Sequence, residues 1–279
     1  MSKIKSIGIV SPNFGGSTIF GYLMQGYSGI HHVGESWKIL PPRNEVCKED
    51  GQDCPYFTPK NIKKIIDSDH FYNSMPELFN CNTIITGDKN PSFYSKKTTT
   101  PDILIVLLKN PYAHTYSFFK RLEKSEDHKN MSKTEKIIEA ATNYYTTIVD
   151  RLAWALKLEE KNNVPVYVIS FEDFIVCNTD EKNELAVKMS LDTKFVEANI
   201  DENMHYIGGN HKLSNGGSGE GKVYFQGKIK EDNRYKDVFS QEDIDTIKQT
   251  LDSFQVLKNH LSKSNVLTNI DWLDNRVLN

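Results

Sequence analysis

The segment that follows the first apolar run has residues suited to binding a phosphate group. Residues 11–18 read SPNFGGST. Glycines let backbone N–H groups approach an anion closely, and the first turn of a following helix adds free N–H groups and the positive end of its dipole. Ser17 and Thr18 add two hydroxyl groups. The segment indicates a phosphate site, with a tight turn that binds no ligand as the alternative.

A second candidate phosphate site lies further along the chain. Lys109-Asn110-Pro111 follows an apolar run, and Ser117 comes eight residues after the lysine. Proline suits the first turn of a helix, so Ser117 is expected on that helix about two turns in. A cation at a strand end and a hydroxyl on the next helix can bind the same phosphate. The alternative is a lysine that reaches solvent beside a solvated serine.

Two further segments contain groups suited to acid–base and electrostatic catalysis. Residues 31–36 read HHVGES and residues 87–91 read GDKNP, and each follows a short apolar or β-prone stretch. Glu35 is the candidate general base and Lys89 the candidate electrostatic stabiliser. Other bases nearby are His31, His32 and Asp88, and a single Glu or Lys in a sequence is most often a surface residue.

The elements that must position these residues alternate along the chain. Short apolar runs at residues 4–10, 83–86, 103–108 and 164–170 predict buried strands. Helical patterns cover residues 17–27, residues 131–162 after the capping box Ser132/Glu135, and the stretch up to residue 261 after the capping box Ser240/Asp243. This alternation predicts a mostly parallel sheet, with ligand sites at the carboxyl ends of its strands.

The composition is that of an ordinary globular protein. The chain has 279 residues, is 38% hydrophobic and 25% charged, and has a formal net charge of −3, which disfavours general binding to nucleic acid or anionic membranes. No apolar run reaches membrane-span length, and the first ten residues are too short for a secretion signal, so a cytoplasmic location is expected. Cys47 and Cys54 could form half of a metal site, but the sequence shows no second pair of ligands at a usable spacing. The cysteines are expected to be reduced thiols.

The four motifs, in this order, resemble the sulfotransferase family over roughly residues 4–260. Residues 11–18 are similar to its 5′-phosphosulfate loop, and Lys109-Asn110-Pro111 with Ser117 is similar to its 3′-phosphate motif. Residues 34–41 resemble the strand-two segment of tyrosylprotein and related bacterial sulfotransferases, in which the Glu acts as base. Residues 88–91 resemble the family's Lys-x-Pro element. Residues 166–174, 205–210 and 234–244 are also similar to family segments.

The resemblance implies a fold, a co-substrate and a set of site residues. The fold would be an α/β, P-loop-NTPase-like three-layer sandwich, with a central mostly parallel sheet of about five strands flanked by helices, in one domain over residues 1–279. The co-substrate would be 3′-phosphoadenosine 5′-phosphosulfate, leaving 3′,5′-adenosine bisphosphate, and no metal would be needed. Glu35 and Lys89 would be catalytic. The co-substrate would be bound by Asn13, Phe14, Gly15, Gly16, Ser17, Thr18, Lys109, Ser117, Asn210 and Lys212.

Two residues depart from the family pattern. Phe14 stands where the family's first loop has a basic residue, so Lys89 would have to supply more of the positive charge. Lys109 replaces the arginine of the 3′-phosphate motif, which exchanges a planar fork for a point charge. The glycine-rich stretch 208–227 is interpreted as a loop over the nucleotide or acceptor, with a surface insertion as the alternative.

The acceptor is expected to be a small molecule with a hydroxyl, amine or carbamoyl nitrogen. The chain is similar to bacterial natural-product sulfotransferases, including those that act on guanidinium alkaloids of the saxitoxin type. The expected protein is a monomer or homodimer without nucleic-acid or membrane partners. The rival functions are a P-loop-like phosphotransferase, which would need a lysine where Gly16 stands, and a non-catalytic nucleotide-binding protein.

Overall fold

A computed structural model describes residues 4–47, 50–87, 91–197, 205, 207, 232–252 and 255–268 of the chain. Within these residues the strands form one six-stranded sheet in the order β2-β3-β1-β4-β5-β6, and every neighbouring pair is parallel. The strands are β1 (Ser6–Val10), β2 (Ile30–Gly34), β3 (Thr83–Thr86), β4 (Ile103–Leu108), β5 (Val166–Ser170) and β6 (Asn265–Val266).

The predicted parallel sheet is confirmed, and it contains one strand more than the expected five. β3 and β4 coincide with two of the predicted apolar runs, whereas β1 and β5 are each shorter at their amino ends. None of the predicted apolar runs covers β2 or β6; β6 has only two residues and pairs with β5 at the edge of the sheet. A two-residue strand has no hydrophobic period by which it can be recognised in a sequence.

Helices cover both faces of the sheet. In chain order they are α1 (Ser17–Met24), α2 (Pro59–Ile66), α3 (Met75–Leu78), α4 (Pro91–Tyr94), α5 (Pro111–Glu123), α6 (Lys133–Asn162), α7 (Phe171–Val176), α8 (Thr179–Lys188), α9 (Gln241–Asp252) and α10 (Gln255–Leu261). Helix α6 packs against one face of β4, which presents Leu104, Val106 and Leu108. Helices α1, α7 and α8 pack against the opposite face, which presents Ile103, Ile105 and Leu107. Because successive side chains of a strand point to opposite faces, a strand buried on both sides is apolar throughout.

Both predicted capping boxes are present. The Ser132 hydroxyl and the Glu135 carboxylate each bind the other residue's backbone N–H at the start of α6. Ser240 and Asp243 make the same reciprocal pair before α9, with N–H···O distances of 2.8 and 3.2 Å. Pro111 opens α5 as expected, and the Asn110 side chain accepts from the amides of Tyr112 and Ala113. These local signals set where the helices begin.

Within the described residues, none of the helices combines the length and the apolar character needed to cross a membrane.

Candidate functional site

We call residues 11–16 the first loop; it joins β1 to α1 through a tight turn at the carboxyl edge of the sheet. The Gly15 amide donates to the Pro12 carbonyl over 3.0 Å. Gly16 is the N-cap of α1 with a left-handed φ of 82°. A glycine N-cap offers no side chain to the first-turn N–H groups, which have no partners inside the helix. The first loop, for which a phosphate site was predicted, therefore lies at the N-terminus of α1.

The hydroxyl group of Ser17 lies at the same helix N-terminus. The residue is only 2% exposed, and among the described residues its Oγ has no hydrogen-bond partner. A buried hydroxyl without a partner is unfavourable, so it calls for a ligand or a water. A Cβ atom added at Gly87, which follows β3, would lie 3.7 Å from this Oγ. The Ser17 side chain therefore lies beside Gly87, directly after the end of β3.

The neighbouring candidate residues differ in accessibility. Asn13 is exposed, Gly15 is buried, and Thr18 in the first turn of α1 is half-buried. The Asn13 carbonyl accepts a 2.6 Å hydrogen bond from Nε2 of His114 on α5. His114 is fully buried, and burial together with the charge of Lys109 lowers its pKa to about 3. A neutral histidine on α5 thus holds the first loop in place.

Phe14 has a role that the sequence did not indicate. Its ring lies edge-on to Phe118, with ring centroids 6.1 Å apart, and the Arg121 guanidinium carbon lies 5.8 Å from its centroid. Phe118 and Arg121 both belong to α5. A cation on the neighbouring helix is therefore held over the Phe14 ring by a cation–π contact.

Lys109, at the end of β4, is buried and forms an ion pair with a residue that the sequence did not single out. Its Nζ lies 3.2 Å from Oδ2 of Asp232. The same carboxylate accepts two hydrogen bonds from Arg234, at Oδ1 from Nε over 2.8 Å and at Oδ2 from Nη2 over 2.9 Å. Burial opposes ionisation of Asp232, but the Arg234 hydrogen bonds and the Lys109 charge outweigh it and lower its pKa to about 2. The three side chains carry a net charge of about +1 at neutral pH.

Ser117 lies on α5 as predicted, about 9 Å along the helix axis from Pro111. It is half-buried, and its hydroxyl donates to the Ala113 carbonyl one turn earlier over 3.0 Å. Such a bond leaves the oxygen lone pairs of the hydroxyl available as acceptors, but a phosphate would require the donor to turn away from Ala113. The two residues predicted to bind one phosphate therefore lie on successive elements, Lys109 at the end of β4 and Ser117 in the middle of α5.

Glu35 follows β2 and lies at the same edge of the sheet. It is buried, and its carboxylate lies 3.1 Å from Nζ of Lys38, which also approaches Glu45 at 3.4 Å. The Gly87 amide donates to the Gly34 carbonyl over 2.8 Å, which joins the ends of β2 and β3 directly before the candidate residues. Glu35 is therefore held at the sheet edge next to the segment that follows Gly87.

The alternative bases His31 and His32 are buried inside β2. Burial lowers the pKa of His31 to about 4 and that of His32 to about 3. His31 also stacks on Phe79 with ring centroids 4.5 Å apart. Both rings lie within the buried strand, whereas Glu35 follows its end at the carboxyl edge of the sheet, so position favours Glu35 over both histidines.

Four of the residues named from the sequence lie outside the described residues. Lys89, Asn210 and Lys212 are among them, and so is Asp88. The glycine-rich stretch 208–227 lies outside the described residues as well.

Cys47 and Cys54 lie beside two further metal-ligating side chains. The thiols, the Asp50 carboxylate and the His205 imidazole each offer one atom, and all four atoms lie within 4.8 Å of one another. Nδ1 of His205 lies 2.6 Å from Oδ2 of Asp50 and 3.7 Å from Sγ of Cys54. Spacing did not reveal these two further side chains, because one lies between the cysteines and the other is distant in sequence.

A cavity of about 630 Å³ lies away from these groups. Lys161 and Asn162, shortly before β5, and Thr100, shortly before β4, contribute to its lining, so it opens at the amino edge of the sheet. Ligands of open parallel sheets bind at the carboxyl edge. The candidate site is therefore the carboxyl edge, where β2, β3, β1 and β4 end side by side.

No family model matches this sequence, and the comparison with curated proteins found no match either.

Proposed function

We propose that this chain is a sulfotransferase of P-loop-NTPase-like fold that transfers a sulfuryl group from 3′-phosphoadenosine 5′-phosphosulfate to a small-molecule acceptor. The observation that carries the proposal is the buried Ser17 hydroxyl, which has no partner among the described residues and lies at an N-terminus capped only by glycine. A phosphosulfate group supplies the acceptor oxygens that this hydroxyl and the first-turn N–H groups require. The parallel strand order and the helices on both faces support the assignment of the fold.

The order in which the strands end along the carboxyl edge agrees with the order of groups that the proposed reaction requires. Along the carboxyl edge come Glu35 after β2, the segment after Gly87 at β3, the first loop after β1, and Lys109 after β4. Neighbouring strands lie about 4.8 Å apart, so the edge from Glu35 to Lys109 spans about 14 Å. A donor with its 5′-phosphosulfate at the first loop and its 3′-phosphate near Lys109 has its sulfuryl group on the side of Glu35.

The proposed reaction is an in-line displacement at sulfur. An acceptor oxygen or nitrogen forms a bond to sulfur, the bond from sulfur to the 5′-phosphate oxygen breaks, and the Glu35 carboxylate takes the acceptor's proton. Ser17, Thr18 and the first-turn N–H groups stabilise the charge that develops on the sulfuryl oxygens and the leaving phosphate. Lys89, by its position two residues after Gly87, is assigned to the same charge. The products are the sulfated acceptor and 3′,5′-adenosine bisphosphate.

The ion pair of Lys109 refines the proposed 3′-phosphate site. Asp232 shares its charge between Lys109 and Arg234, and the Arg234 side chain remains 40% exposed. Lys109 has three donors, of which Asp232 uses one in the described structure. We assign the 3′-phosphate to Lys109 and Arg234 together, with the net positive charge of the three side chains as the attraction.

Calorimetric titration with 3′,5′-adenosine bisphosphate and with adenosine 5′-monophosphate tests the proposal. The bisphosphate is expected to bind at least about 10-fold more tightly, because charge-assisted hydrogen bonds contribute about 1.5–3 kcal/mol each. Transfer from the labelled donor is then measured on acceptors that bear hydroxyl, amine, carbamoyl or guanidinium groups, including saxitoxin-type alkaloids. Equal affinity for the two nucleotides, together with Mg²⁺-dependent phosphate release from ATP, would identify a phosphotransferase instead. Tight bisphosphate binding without transfer to any acceptor would identify a non-catalytic binding protein.

A further inference from the structure

The four metal-ligating side chains near β2 form a compact group that the proposed transfer reaction does not use. We call this group the cysteine–histidine cluster; it consists of Cys47, Asp50, Cys54 and His205. Cys47 and Cys54 are buried, His205 is half-buried, and Asp50 is exposed. Two thiols, an imidazole and a carboxylate whose atoms lie within 4.8 Å of one another can surround a single ion with little movement.

The local chain geometry already brings three of these residues together. The Gly51 amide donates to the Cys47 carbonyl over 3.0 Å, and the Asp53 amide donates to the Asp50 carbonyl over 3.2 Å. Gly51 has a left-handed φ of 63°. These contacts bring Gly51 back to Cys47 and Asp53 back to Asp50, so that the side chains of Cys47, Asp50 and Cys54 lie close to that of His205.

The chemistry of the four ligands selects the metal. Thiolate ligands favour Zn²⁺ over Mg²⁺ and Ca²⁺, which prefer sets of oxygen ligands. Zn²⁺ is tetrahedral and takes Cys, His and Asp ligands at about 2.0–2.3 Å. Four protein ligands complete its coordination, which is the arrangement of a structural zinc site, whereas catalytic sites leave a position open to water.

We propose that the cysteine–histidine cluster binds one structural Zn²⁺ ion, independently of the transfer reaction. Binding replaces the thiol protons of Cys47 and Cys54 by the metal, so about two protons are released for each ion. Asp50 and His205, which contact each other at 2.6 Å, separate to ligate the ion individually.

The position of the cluster indicates what the ion would do. Cys47 forms an antiparallel bridge with Ile207, and Ile207 forms a parallel bridge with Gly34 at the end of β2. Ile207 thus bridges both Cys47 and the end of β2, and His205 lies two residues before it in the chain. The Zn²⁺ ion fastens Cys47, Asp50, Cys54 and His205 to one another beside the end of β2, directly before Glu35. Since His205 is far from Cys54 in sequence, the ion acts as a long-range crosslink.

Metal analysis of the purified protein provides the first test. The full chain is produced in medium supplemented with zinc chloride and passed through a desalting column, and zinc is measured by mass spectrometry. We expect about one equivalent per chain. Replacement by Co²⁺ is expected to give the intense visible bands of tetrahedral cobalt and a thiolate-to-cobalt charge-transfer band. Less than a tenth of an equivalent of zinc, with no such bands on cobalt addition, would overturn the proposal.

Matched variants assign the ligands. Cys54→Ser and His205→Gln are each expected to lower zinc affinity at least about 10-fold, since even the groups that hydrogen-bond to ligands contribute 10–100-fold. Asp50→Asn keeps the shape of an exposed side chain, so it tests the site without disturbing the fold. Cys81→Ser removes a thiol outside the cluster and is expected to leave one equivalent bound. If Cys81→Ser lowers the zinc content as much as Cys54→Ser does, the cluster is not the site.

A disulfide between the two thiols of the cluster is the competing outcome. Intact-mass measurement of the protein purified without reductant distinguishes the two, because a disulfide removes two hydrogen atoms and excludes zinc. A mass two units below that of the reduced chain, together with absence of zinc under reducing conditions, would overturn the zinc assignment.

Discussion

The Glu35 amide donates a 2.7 Å hydrogen bond to the carbonyl oxygen of Ile207, and the Ile207 amide donates in turn to the carbonyl oxygen of Val33 over 3.0 Å. Ile207 therefore pairs with Gly34, the last residue of β2, as an isolated parallel bridge. The backbone of the candidate base is held by a residue that directly precedes the glycine-rich stretch 208–227.

Gly34→Ala tests how strongly this contact depends on close backbone approach. Gly34 has a left-handed φ of 73°, and a Cβ atom there would lie 2.1 Å from the Ile207 carbonyl oxygen. Gly51→Ala is the matched control, because Gly51 also has a left-handed φ but nothing lies within 4 Å of its added Cβ. Both variants strain the backbone by about 1–2 kcal/mol. We expect Gly34→Ala to lower the free energy of unfolding by about 1–3 kcal/mol more than Gly51→Ala, measured by urea denaturation. Equal losses would show that residue 207 does not approach Gly34.

Ser17→Ala separates ligand binding from stability. The Ser17 hydroxyl is buried and has no partner among the described residues, so its removal is expected to change the free energy of unfolding by less than about 0.5 kcal/mol, or to raise it. The affinity for 3′,5′-adenosine bisphosphate is expected to fall about 10-fold, because a hydrogen bond to a charged group is lost. Calorimetry and urea denaturation on the same preparation measure both quantities.

Ser74→Ala is the control for that prediction. Ser74 also has a buried hydroxyl without a partner among the described residues, but it precedes α3 and β3 and so lies toward the amino edge of the sheet. Its removal is expected to leave nucleotide affinity unchanged. If both variants bind the bisphosphate as the wild-type protein does, the first loop is not the phosphate site.

Sequence patterns located the elements in which a strong local signal was present. β3 and β4 are uniform apolar or β-branched runs, and α6 begins at a capping box, so their limits are encoded by neighbouring residues. Residues 30–34 form a buried strand that includes two histidines, and they were not among the apolar runs used to predict strands. Burial within the sheet lowers the pKa of both imidazoles, so the rings are neutral. Neutral rings can occupy a buried strand, but hydropathy alone does not indicate a strand at these positions.

Long-range contacts account for the parts of the site that the sequence did not reveal. Asp232 pairs with Lys109 across 123 residues, and His205 reaches Cys54 across 151 residues. Neither contact leaves a periodic or local pattern, because each depends on how separate elements are packed. The Arg121 contact with Phe14 belongs to the same class, since α5 presents Arg121 only once it packs beside the first loop.

The charge pair at Lys109 predicts acid sensitivity. Asp232 has a pKa of about 2 in the folded protein against an ordinary value of 3.8, so the ionised form stabilises the fold above pH 3.8 and that contribution is lost as the pH falls toward 2. The loss is about 2 kcal/mol. Urea denaturation between pH 5 and pH 2 measures it, and Asp232→Asn is expected to remove this part of the pH dependence.

Asp245→Asn serves as the comparison for the acid titration. Asp245 is exposed and lies on α9, where it accepts a hydrogen bond from Gln241. Its replacement is expected to leave the pH dependence of unfolding unchanged. If the free energy of unfolding of the Asp232→Asn variant falls between pH 4 and pH 2 as steeply as that of the wild-type protein, the carboxylate is not held by Lys109 and Arg234.

Glu35→Gln tests the assignment of the general base. The side chain keeps its shape but no longer accepts a proton, so the rate of transfer is expected to fall by about 10²–10⁴ while the affinity for 3′,5′-adenosine bisphosphate stays within about twofold. Glu45→Gln is the matched control, because Lys38 also pairs with Glu45, at 3.4 Å. Losing that partner disturbs Lys38 without touching the strand end, and transfer is expected to continue at nearly the wild-type rate. Single-turnover measurements with the labelled donor give the rates, and near-wild-type transfer by Glu35→Gln would assign the base to another residue.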